Sequence, residues 1–463
     1  MSSNPLLTLL AFVVTLGVLI VVHEWGHYRV AKACGVKVLR FSVGFGRVLL
    51  RRRRGPDATE FTLSALPLGG YVRMLDEREG PVAPHERLRA FNNRPLLQRT
   101  AIVAAGPAAN FVLAVLLFAL VNVIGVDEPR PVLGTPLAGS LAERAGMRAG
   151  DWVQAASVDG QGWTDVQSLP ELRWQLTRAV ADGRKLYLRV SDAQGHGHRE
   201  LVLDTDGLGS ADLDAQLLRK VGLGGPYSEP LLGELSPGGA GAAAGLKRGD
   251  RVLTVDGQPA GDAASLRERI RASAQGVDGD LARPMQWQIE RAGQVLSLEV
   301  RPRIVRDGNQ RLGRIEAMVG SAPELVTVRH DPLQALWLGA RRTWEVSALT
   351  LGTFGRMLVG EASLKNLSGP ITIADYAGQS AQLGLTAYLS FLALVSVSLG
   401  VLNLLPLPML DGGHLMYYLF EGLSGRPVSE WWLRQLQRAG VLVMLLMMAL
   451  ALSNDMARLA GLH

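Results

Sequence analysis

The sequence predicts a polytopic α-helical membrane protein with four transmembrane helices and two external β-rich modules in tandem. Three observations lead to this fold class. The 463-residue chain is 48% hydrophobic, which is a high fraction for a soluble enzyme. Four long stretches contain no charged residue, and a set of short motifs between the second and third stretches occurs twice.

The uncharged stretches cover residues 5–22, 100–126, 376–410 and 439–454. A helix needs about 20 apolar residues to cross a bilayer. The first three stretches meet this length, and the fourth meets it with residues from its flanks. We therefore expect one transmembrane helix in each stretch.

The first stretch has an alternative interpretation as a cleaved signal peptide. Ala31-Lys32-Ala33 follows the apolar core and fits a small-x-small cleavage pattern. However, no basic residue precedes Pro5, and a polar segment with two histidines separates the core from this pattern. Both features are atypical of signal peptides, so a retained helix is favoured.

The distribution of basic residues predicts the orientation. Arg29, Lys32, Lys37 and the run 51–54 lie in the loop between the first two stretches, and such an excess of Arg and Lys is typical of a cytoplasmic loop. The region after the second stretch is then external, and the loop that follows the third stretch is cytoplasmic. Long translocated regions are exempt from this charge rule, so external arginines do not contradict it.

The run from Arg51 to Arg54 has two interpretations. It could bind nucleic acid, but beside a membrane-spanning helix a topogenic or lipid-facing role is more typical. The net charge of +6 follows largely from the loop arginines. We therefore expect membrane lipid, and no nucleic acid, among the partners.

The external region contains an internal repeat. Residues 145–151, AGMRAGD, recur as residues 244–250, AGLKRGD, and residues 158–161 and 255–258 both read VDGQ. In each copy we expect a short helix that ends at the first glycine, a Gly-Asp turn, and an alternating strand that leads to an Asp-Gly turn. Two similar modules therefore follow one another.

These modules resemble the PDZ domain in its bacterial arrangement. The motifs of the second copy are nearly intact, whereas Met147 replaces the leucine in the first. The resemblance implies a small β-barrel with a groove that accepts an extended peptide as an added strand. A role as a rigid spacer stays open, because a fold does not establish a function.

The inner end of the first predicted helix carries a His-Glu-x-x-His motif. On a helix, His23 and His27 lie one turn apart on the same face and can bind one metal ion, and Glu24 beside them can take a proton from water. This arrangement suits zinc. The alternative is a pair of histidines that extend toward lipid headgroups, with Glu24 bonded to a neighbour.

A catalytic zinc site takes three protein ligands, so a third ligand is required at the same depth. Asp411 is the first charge after the third uncharged stretch. Pro406 and Pro408 should end the regular helix before it. The first and third helices both enter from outside, so we expect Asp411 to reach the cytoplasmic layer that holds His23 and His27.

Three other polar residues near these stretches are excluded as ligands. His414 follows Asp411 closely, but a fourth protein ligand would displace the catalytic water, so His414 is interpreted as a surface or supporting residue. Asp375 and Glu361 lie near the outer end of the third stretch, on the wrong side of the membrane for this site.

Over nearly its whole length the chain resembles the site-2 protease family of intramembrane zinc metalloproteases, and within it the bacterial type that regulates sigma-E. The matching motifs are HEWGH (23–27), FTLSALPLGGYVRMLDE (61–77), GPAAN (106–110), SGPITIA (368–374) and NxxPxxxLDG (403–412). The resemblance implies one zinc ion held by His23, His27 and Asp411. It further implies that Glu24 is the general base and that Asn403 helps to hold the substrate backbone.

The resemblance also implies the function. It predicts an endopeptidase that cleaves transmembrane segments of single-span proteins during regulated intramembrane proteolysis in the stress response. An anti-sigma factor already cut outside the membrane is the expected substrate, and signal-peptide remnants are possible further ones. The expected location is the bacterial inner membrane, with periplasmic PDZ domains and an active site toward the cytoplasm. A non-catalytic PDZ scaffold and a metal transporter are the alternatives.

Two further segments complete the prediction. Residues 61–74, with Pro67 and Gly69-Gly70 at the centre, predict a hairpin. Its edge could pair with an unwound substrate, and the alternative is an ordinary cytoplasmic hairpin. Apolar residues from Leu333 to Ala348 recur at helical spacing and predict an amphipathic helix on the outer membrane surface or against the second module.

The predicted domains are residues 1–126 with two transmembrane helices and the zinc motif, 127–225 and 226–325 as PDZ-like domains, 326–380 as the amphipathic segment, and 381–463 with the last two transmembrane helices.

Overall fold

The computed structural model describes residues 5–205, 221–277, 279–307, 310–359, 369–426 and 428–459. The chain divides into two compact units, one formed by Met1–Gly125 with Arg329–His463 and the other by Val126–Val328. In chain order the helices are α1 (Pro5–Ala33), α2 (Leu96–Ile124), α3 (Leu141–Arg144), α4 (Leu169–Ala181), α5 (Ala240–Ala243), α6 (Ala263–Ala272), α7 (Pro332–Leu358), α8 (Pro370–Leu383), α9 (Leu385–Leu404), α10 (Asp411–Ser424) and α11 (Glu430–Leu459).

The strands belong to both units. Those of the first unit are β1 (Val38–Arg54) and β2 (Thr59–Met74). Those of the second are β3 (Val126–Pro129), β4 (Trp152–Ser157), β5 (Thr164–Asp165), β6 (Leu186–Ser191), β7 (Arg199–Leu203), β8 (Leu232–Leu235), β9 (Arg251–Val255), β10 (Gln258–Pro259), β11 (Met285–Arg291), β12 (Gln294–Val300), β13 (Arg303–Asp307), β14 (Gln310–Arg314), β15 (Ala317–Val319) and β16 (Leu325–Val328).

Four helices in the described part of the chain are long and apolar enough to cross a membrane. They are α1, α2, α9 and the Trp431–Met456 part of α11. The prediction of four spans is therefore confirmed, but the third uncharged stretch is not one helix. Gly384 has a φ of 115°, which an α-helix cannot accommodate, so α8 ends before it and α9 begins after it.

Small residues bring the helices of the first unit together. Gly26 of α1 lies against α2, where an added Cβ would be 2.8 Å from the carbonyl carbon of Ala105. Helix α2 packs on α9 through a buried cluster that includes Phe118 and Val397. Close approach without side chains lets long apolar helices gain dispersion contacts where lipid offers no hydrophobic driving force between them.

The predicted amphipathic helix is present as α7. Its Trp337 and Trp344 side chains are exposed, and Ala335 and Thr343 are buried. The buried face packs on α2, because an added Cβ at Gly339 would lie 2.5 Å from the carbonyl oxygen of Val115. The partner of this helix within the first unit is therefore a transmembrane helix.

The start of α8 is tied to the end of α11 by a buried carboxylate. The backbone amides of Gly369, Ile371 and Thr372 donate hydrogen bonds to Asp455 at 3.1, 2.9 and 3.2 Å. The Thr372 hydroxyl donates a fourth at 2.5 Å. These bonds satisfy helix N-terminal donors that would otherwise be unpaired. The SGPITIA segment begins at Ser368, which lies outside the described residues.

The prediction that residues 61–74 form a hairpin by themselves is wrong, because their strand partner lies upstream. These residues belong to β2, and β2 pairs antiparallel with the upstream strand β1. The start of β1 lies between two parts of β2, so that Phe41 is opposite both Phe61 and Val72. The long-range pairing with β1 was not visible in the local pattern of glycines and apolar residues.

The second unit contains two similar sheet-and-helix modules. One has the strand order β5-β4-β6-β7 and the other β10-β9-β11-β12. The Gly-Asp motifs have matching roles, because Asp151 accepts from the amide of Arg148 and Asp250 from the amide of Lys247, both at 2.8 Å. The unit begins with β3 and ends with β16, which pair so that Val126 is opposite Val328.

Candidate metal centre

Helix α1 presents His23, Glu24 and His27 near its C-terminal end, among apolar turns that hold the helix in place. The neighbouring helix leaves room for the two imidazoles. An added Cβ at Gly106 of α2 would overlap the His27 ring and lie 2.8 Å from Cε1 of His23. The GPAAN motif therefore allows α2 to pass directly behind the histidines.

Asp411 reaches the same place from α10. Helix α9 ends at Leu404, the chain turns through Met409 with a φ of 90°, and Asp411 begins α10. Gly412 and Gly413 pack against the backbone of this turn, where an added Cβ would meet the carbonyl groups of Leu405 and Leu407. The glycines after Asp411 thus permit the tight return that directs the carboxylate toward α1.

The three side chains form a compact donor cluster. The Nε2 atoms of His23 and His27 are 3.3 Å apart, and Oδ2 of Asp411 lies 3.2 Å from the first and 3.5 Å from the second. Among the described residues this is the one group of three His, Cys, Asp or Glu side chains close enough to share an ion. It consists of the residues that the sequence selected as ligands.

These distances fit zinc. A tetrahedral zinc ion about 2.0 to 2.1 Å from each ligand atom separates those atoms by about 3.3 to 3.4 Å. In addition, Oδ2 of Asp411 is buried and accepts no hydrogen bond within the described chain. An unpaired buried oxygen is expected where the atom binds a cation. Burial raises the pKa of Asp411, but its contacts with His23 and His27 outweigh burial and lower the pKa to about 2.

Nδ1 of each imidazole, the ring nitrogen outside the donor cluster, has a neighbouring polar group. Nδ1 of His27 donates to the carbonyl oxygen of Ile102 at 2.8 Å, which leaves the Nε2 lone pair free for the cluster. Nδ1 of His23 lies 3.2 Å from the Asn110 amide, whose Oδ1 is buried without a partner in the described chain. Turning this amide by 180° lets Oδ1 accept from Nδ1–H of His23.

Asn110 was not predicted as a site residue. The sequence signal for it was an amide side chain in the middle of an apolar span, within the GPAAN motif. A polar residue in a transmembrane helix is costly unless it faces a partner in the protein interior. Asn110 is fully buried, and its own carbonyl accepts the hydroxyl of Ser396 at 2.8 Å.

The cluster opens into a cavity of about 760 Å³. Glu24 and Asn403 line this cavity together with the three donors. Residues of the Gly70–Met74 part of β2 also line it. Gly70 packs directly on α1, where an added Cβ would be 2.9 Å from Cγ of Glu24 and 2.8 Å from Cγ2 of Ile20.

His414 and Asp375, two of the residues excluded as ligands, lie outside the cluster. His414 lines the same cavity one turn after Asp411, with its ring edge-on to Tyr417 at 5.9 Å, and burial lowers its pKa. Asp375 accepts a hydrogen bond from Gln379 within α8. Glu361 lies outside the described residues.

Comparison with known proteins gives one consistent family. The family model described as peptidase family M50 matches residues 11–447. A protein of Ralstonia nicotianae named "Putative zinc metalloprotease RSc1411" is 46% identical over 472 residues, which cover 99% of this chain and 100% of that protein. The "Regulator of sigma-E protease RseP" of Escherichia coli is 40% identical over 461 residues, 97% of this chain and 98% of its own length.

Proposed function

The chain belongs to peptidase family M50 and is a zinc metalloprotease with membrane-spanning helices, and from this premise we propose that it cleaves transmembrane segments of single-span proteins. The observation that carries the proposal is the His23, His27 and Asp411 cluster. The two histidines lie on α1, which is long enough to span a bilayer, and Asp411 follows the turn at the end of α9, which is also long enough. A peptidase site at that position faces substrates that are themselves embedded in the membrane.

His23, His27 and Asp411 hold the zinc ion in this proposal. Zinc supplies a Lewis acid that polarises the scissile carbonyl and makes water more acidic. His27 is oriented by the Ile102 carbonyl and His23 by Asn110, so that both Nε2 atoms point to one place. These supporting bonds keep the ligand geometry fixed while the substrate binds.

Glu24 is the proton carrier. It lines the cavity beside the donor cluster. Within the described part of the chain, no side chain or backbone amide is hydrogen-bonded to its carboxylate. It accepts a proton from the attacking water and then delivers that proton to the leaving amine. The amine departs as a neutral group, and the carboxylate is restored for the next cycle.

A helical substrate must be opened before it can be cut, because each of its carbonyls is already hydrogen-bonded within the helix. The Gly70–Met74 part of β2 pairs with β1 along one edge. Its other edge pairs with no strand of the described chain, and its residues line the cavity. We assign this edge to hold an unwound substrate as an added strand, with Asn403, which lines the same cavity, bonded to the substrate backbone.

The two modules of the second unit are PDZ domains in this proposal. Three observations support this assignment: the repeated motif, the matching hydrogen bonds of Asp151 and Asp250, and a groove of about 750 Å³ in the second module. That groove lies between β14–β15 and α6, with Arg267 and Arg271 on its helical side. Such a groove fits an extended peptide and its C-terminal carboxylate.

The proposed setting is the bacterial inner membrane, with the modules outside and the metal centre toward the cytoplasm. Several relatives are named as regulators of sigma-E, which supports an anti-sigma factor, trimmed by an earlier external cut, as the substrate. The non-catalytic scaffold and the metal transporter considered from sequence find no support among these relatives.

A reconstituted cleavage assay tests the proposal. Full-length protein in lipid vesicles should cut a single-span model substrate within its transmembrane segment, as located by mass spectrometry of the fragments. Glu24→Gln should bind zinc and the substrate but release no fragment. Cleavage by this variant at the wild-type rate, or cuts only in soluble loops, would contradict the proposed mechanism.

A further inference from the structure

The β1–β2 sheet is apolar at one end and basic at the other. At the apolar end Phe45, Leu49, Leu50 and Leu66 are exposed, with accessible fractions of 45, 60, 67 and 54%. At the basic end the four exposed arginines 51–54 lie opposite residues 59–62. The exposed Arg47 lies between Phe45 and Leu49, and a long arginine side chain can extend its charged head toward a polar layer. Exposure of four large apolar side chains on one end of a small sheet indicates an apolar environment there.

Contacts with α1 show which end of the sheet lies beside the apolar turns of that helix and which lies beside its last turn. Toward the apolar end, Gly70 packs on Ile20 and Glu24 of α1. Toward the basic end, the turn between the strands is tied to the last turn of α1 by the ion pair of Asp57 with Lys32. The leucines therefore lie alongside the membrane-spanning turns of α1, and the arginines lie at the level where α1 ends.

The charges at the basic end are not neutralised by the protein. Arg40, Arg51 and Arg53 share the single carboxylate of Glu60, with shortest distances of 2.8, 3.8 and 2.7 Å. Strand alternation places Arg52 and Arg54 on the opposite face. Neither forms an ion pair with an acidic residue in the described part of the chain. The sheet thus carries excess positive charge on both faces at one depth.

We propose that this basic end binds the phosphate groups of anionic phospholipids, while the leucine end lies among the acyl chains of the same leaflet. Arginine donates paired hydrogen bonds to phosphate and is attracted to an anionic bilayer surface. The apolar end contributes burial in the lipid. Bound in this way, the lipid fixes the depth of the sheet, and the sheet carries the Gly70–Met74 edge beside the metal centre.

Lipid selectivity of the intact protein tests this assignment. The full chain is reconstituted in phosphatidylcholine vesicles that contain a trace of spin-labelled phosphatidylglycerol or spin-labelled phosphatidylcholine. The fraction of immobilised label is then measured by electron spin resonance. The wild type should select phosphatidylglycerol, and high salt should weaken the selection. The double variant Arg52→Gln/Arg54→Gln should select the two lipids almost equally.

Two further variants separate charge at this site from charge in general. Arg52→Lys/Arg54→Lys keeps the charge and should keep most of the selectivity. Arg178→Gln/Arg248→Gln removes two exposed arginines of the second unit and should behave as the wild type. Bound zinc in each variant reports that the first unit is folded.

The assignment is overturned if zinc-loaded Arg52→Gln/Arg54→Gln retains wild-type selectivity, or if the second-unit control loses it equally. It is also overturned if a fluorescent single-stranded RNA binds the detergent-solubilised protein through Arg52 and Arg54 while lipid selectivity is unaffected by them. Lipid binding is measured without cleavage, so failure of the proposed catalytic function would leave this result interpretable.

Discussion

Oδ2 of Asp411 lies 3.2 Å from Nε2 of His23, although the two residues come from opposite ends of the chain. The contact joins α1 to the first residue of α10 and completes the donor cluster with His27. Because three side chains of types that bind zinc meet at the spacing of a tetrahedral ion, this relationship is the basis of the proposed mechanism.

Asn110 should strengthen zinc binding without touching the ion. Asn110→Leu keeps the volume of the side chain but removes the hydrogen bond to His23, so we expect zinc affinity to fall by about 10- to 100-fold. Competition with a chromophoric chelator measures this affinity. Asn110→Asp retains an acceptor at the same place and should bind zinc more tightly than Asn110→Leu. Equal affinity of Asn110→Leu and the wild type would remove Asn110 from the supporting role.

Gly70 should be needed for cleavage and not for zinc. In Gly70→Ala the new Cβ would lie 2.8 Å from the carbonyl oxygen of Ser42 and 2.9 Å from Cγ of Glu24, so β2 must shift away from α1. A displacement of about 1 Å near a catalytic group costs on the order of 10²-fold in rate. We expect that loss in the vesicle assay, with zinc content unchanged.

Gly80→Ala is the matched control for this edge, because an added Cβ there meets no atom within 4 Å. It should cleave as the wild type does. Full activity of Gly70→Ala would show that the position of the strand against Glu24 does not matter.

The second module should become sensitive to acid when Arg291 is replaced. Burial raises the pKa of Asp250, but hydrogen bonds from Arg291 and the Lys247 amide outweigh it and hold the pKa below the ordinary value of 3.8. A depressed folded-state pKa stabilises the module above the unfolded-state value, and this stabilisation is lost as pH falls through the folded-state value. Arg291→Gln should therefore move acid unfolding to higher pH.

Hydrogen exchange of β11 amides, followed by mass spectrometry of the full chain between about pH 2 and 5, measures this shift. Arg251→Gln removes an exposed partner of Glu229 in the same module and should leave the transition in place. An unchanged transition in Arg291→Gln would mean that the Asp250 ion pair does not stabilise the module.

The second unit should restrict which substrates are cut. Deletion of residues 130–320 retains β3 and β16, whose pairing already places their ends side by side, and leaves residues 321–324 as a short hairpin connection. We expect this form to cleave substrates that still carry a folded external domain, which the intact chain should leave uncut. Both forms are compared at equal protein and zinc levels, with Glu24→Gln as the blank.

If the zinc-loaded deletion form cuts only trimmed substrates, selection occurs outside the deleted modules. The exposed aromatic face of α7, with Trp337 and Trp344, is then the next part of the chain to examine.

Local sequence predicted the features that depend on short-range physics. Uncharged stretches predicted the spans because lipid excludes charge, and the spacing of His23 and His27 predicted a shared helical face. Three features required long-range information. The strand partner of β2 is β1, the third stretch is divided at Gly384, and Asn110 faces His23. Each depends on which segments meet in space, and a local pattern does not specify that.

Zinc content per chain, measured on purified full-length protein by atomic absorption, tests the central claim most directly. The wild type, Glu24→Gln and His414→Ala should each hold about one zinc ion, because the three ligands remain. Asp411→Ala should lose most of its zinc while its helical circular dichroism is retained. Stoichiometric zinc in folded Asp411→Ala, or its loss in His414→Ala alone, would contradict the assignment of His23, His27 and Asp411 as the metal centre.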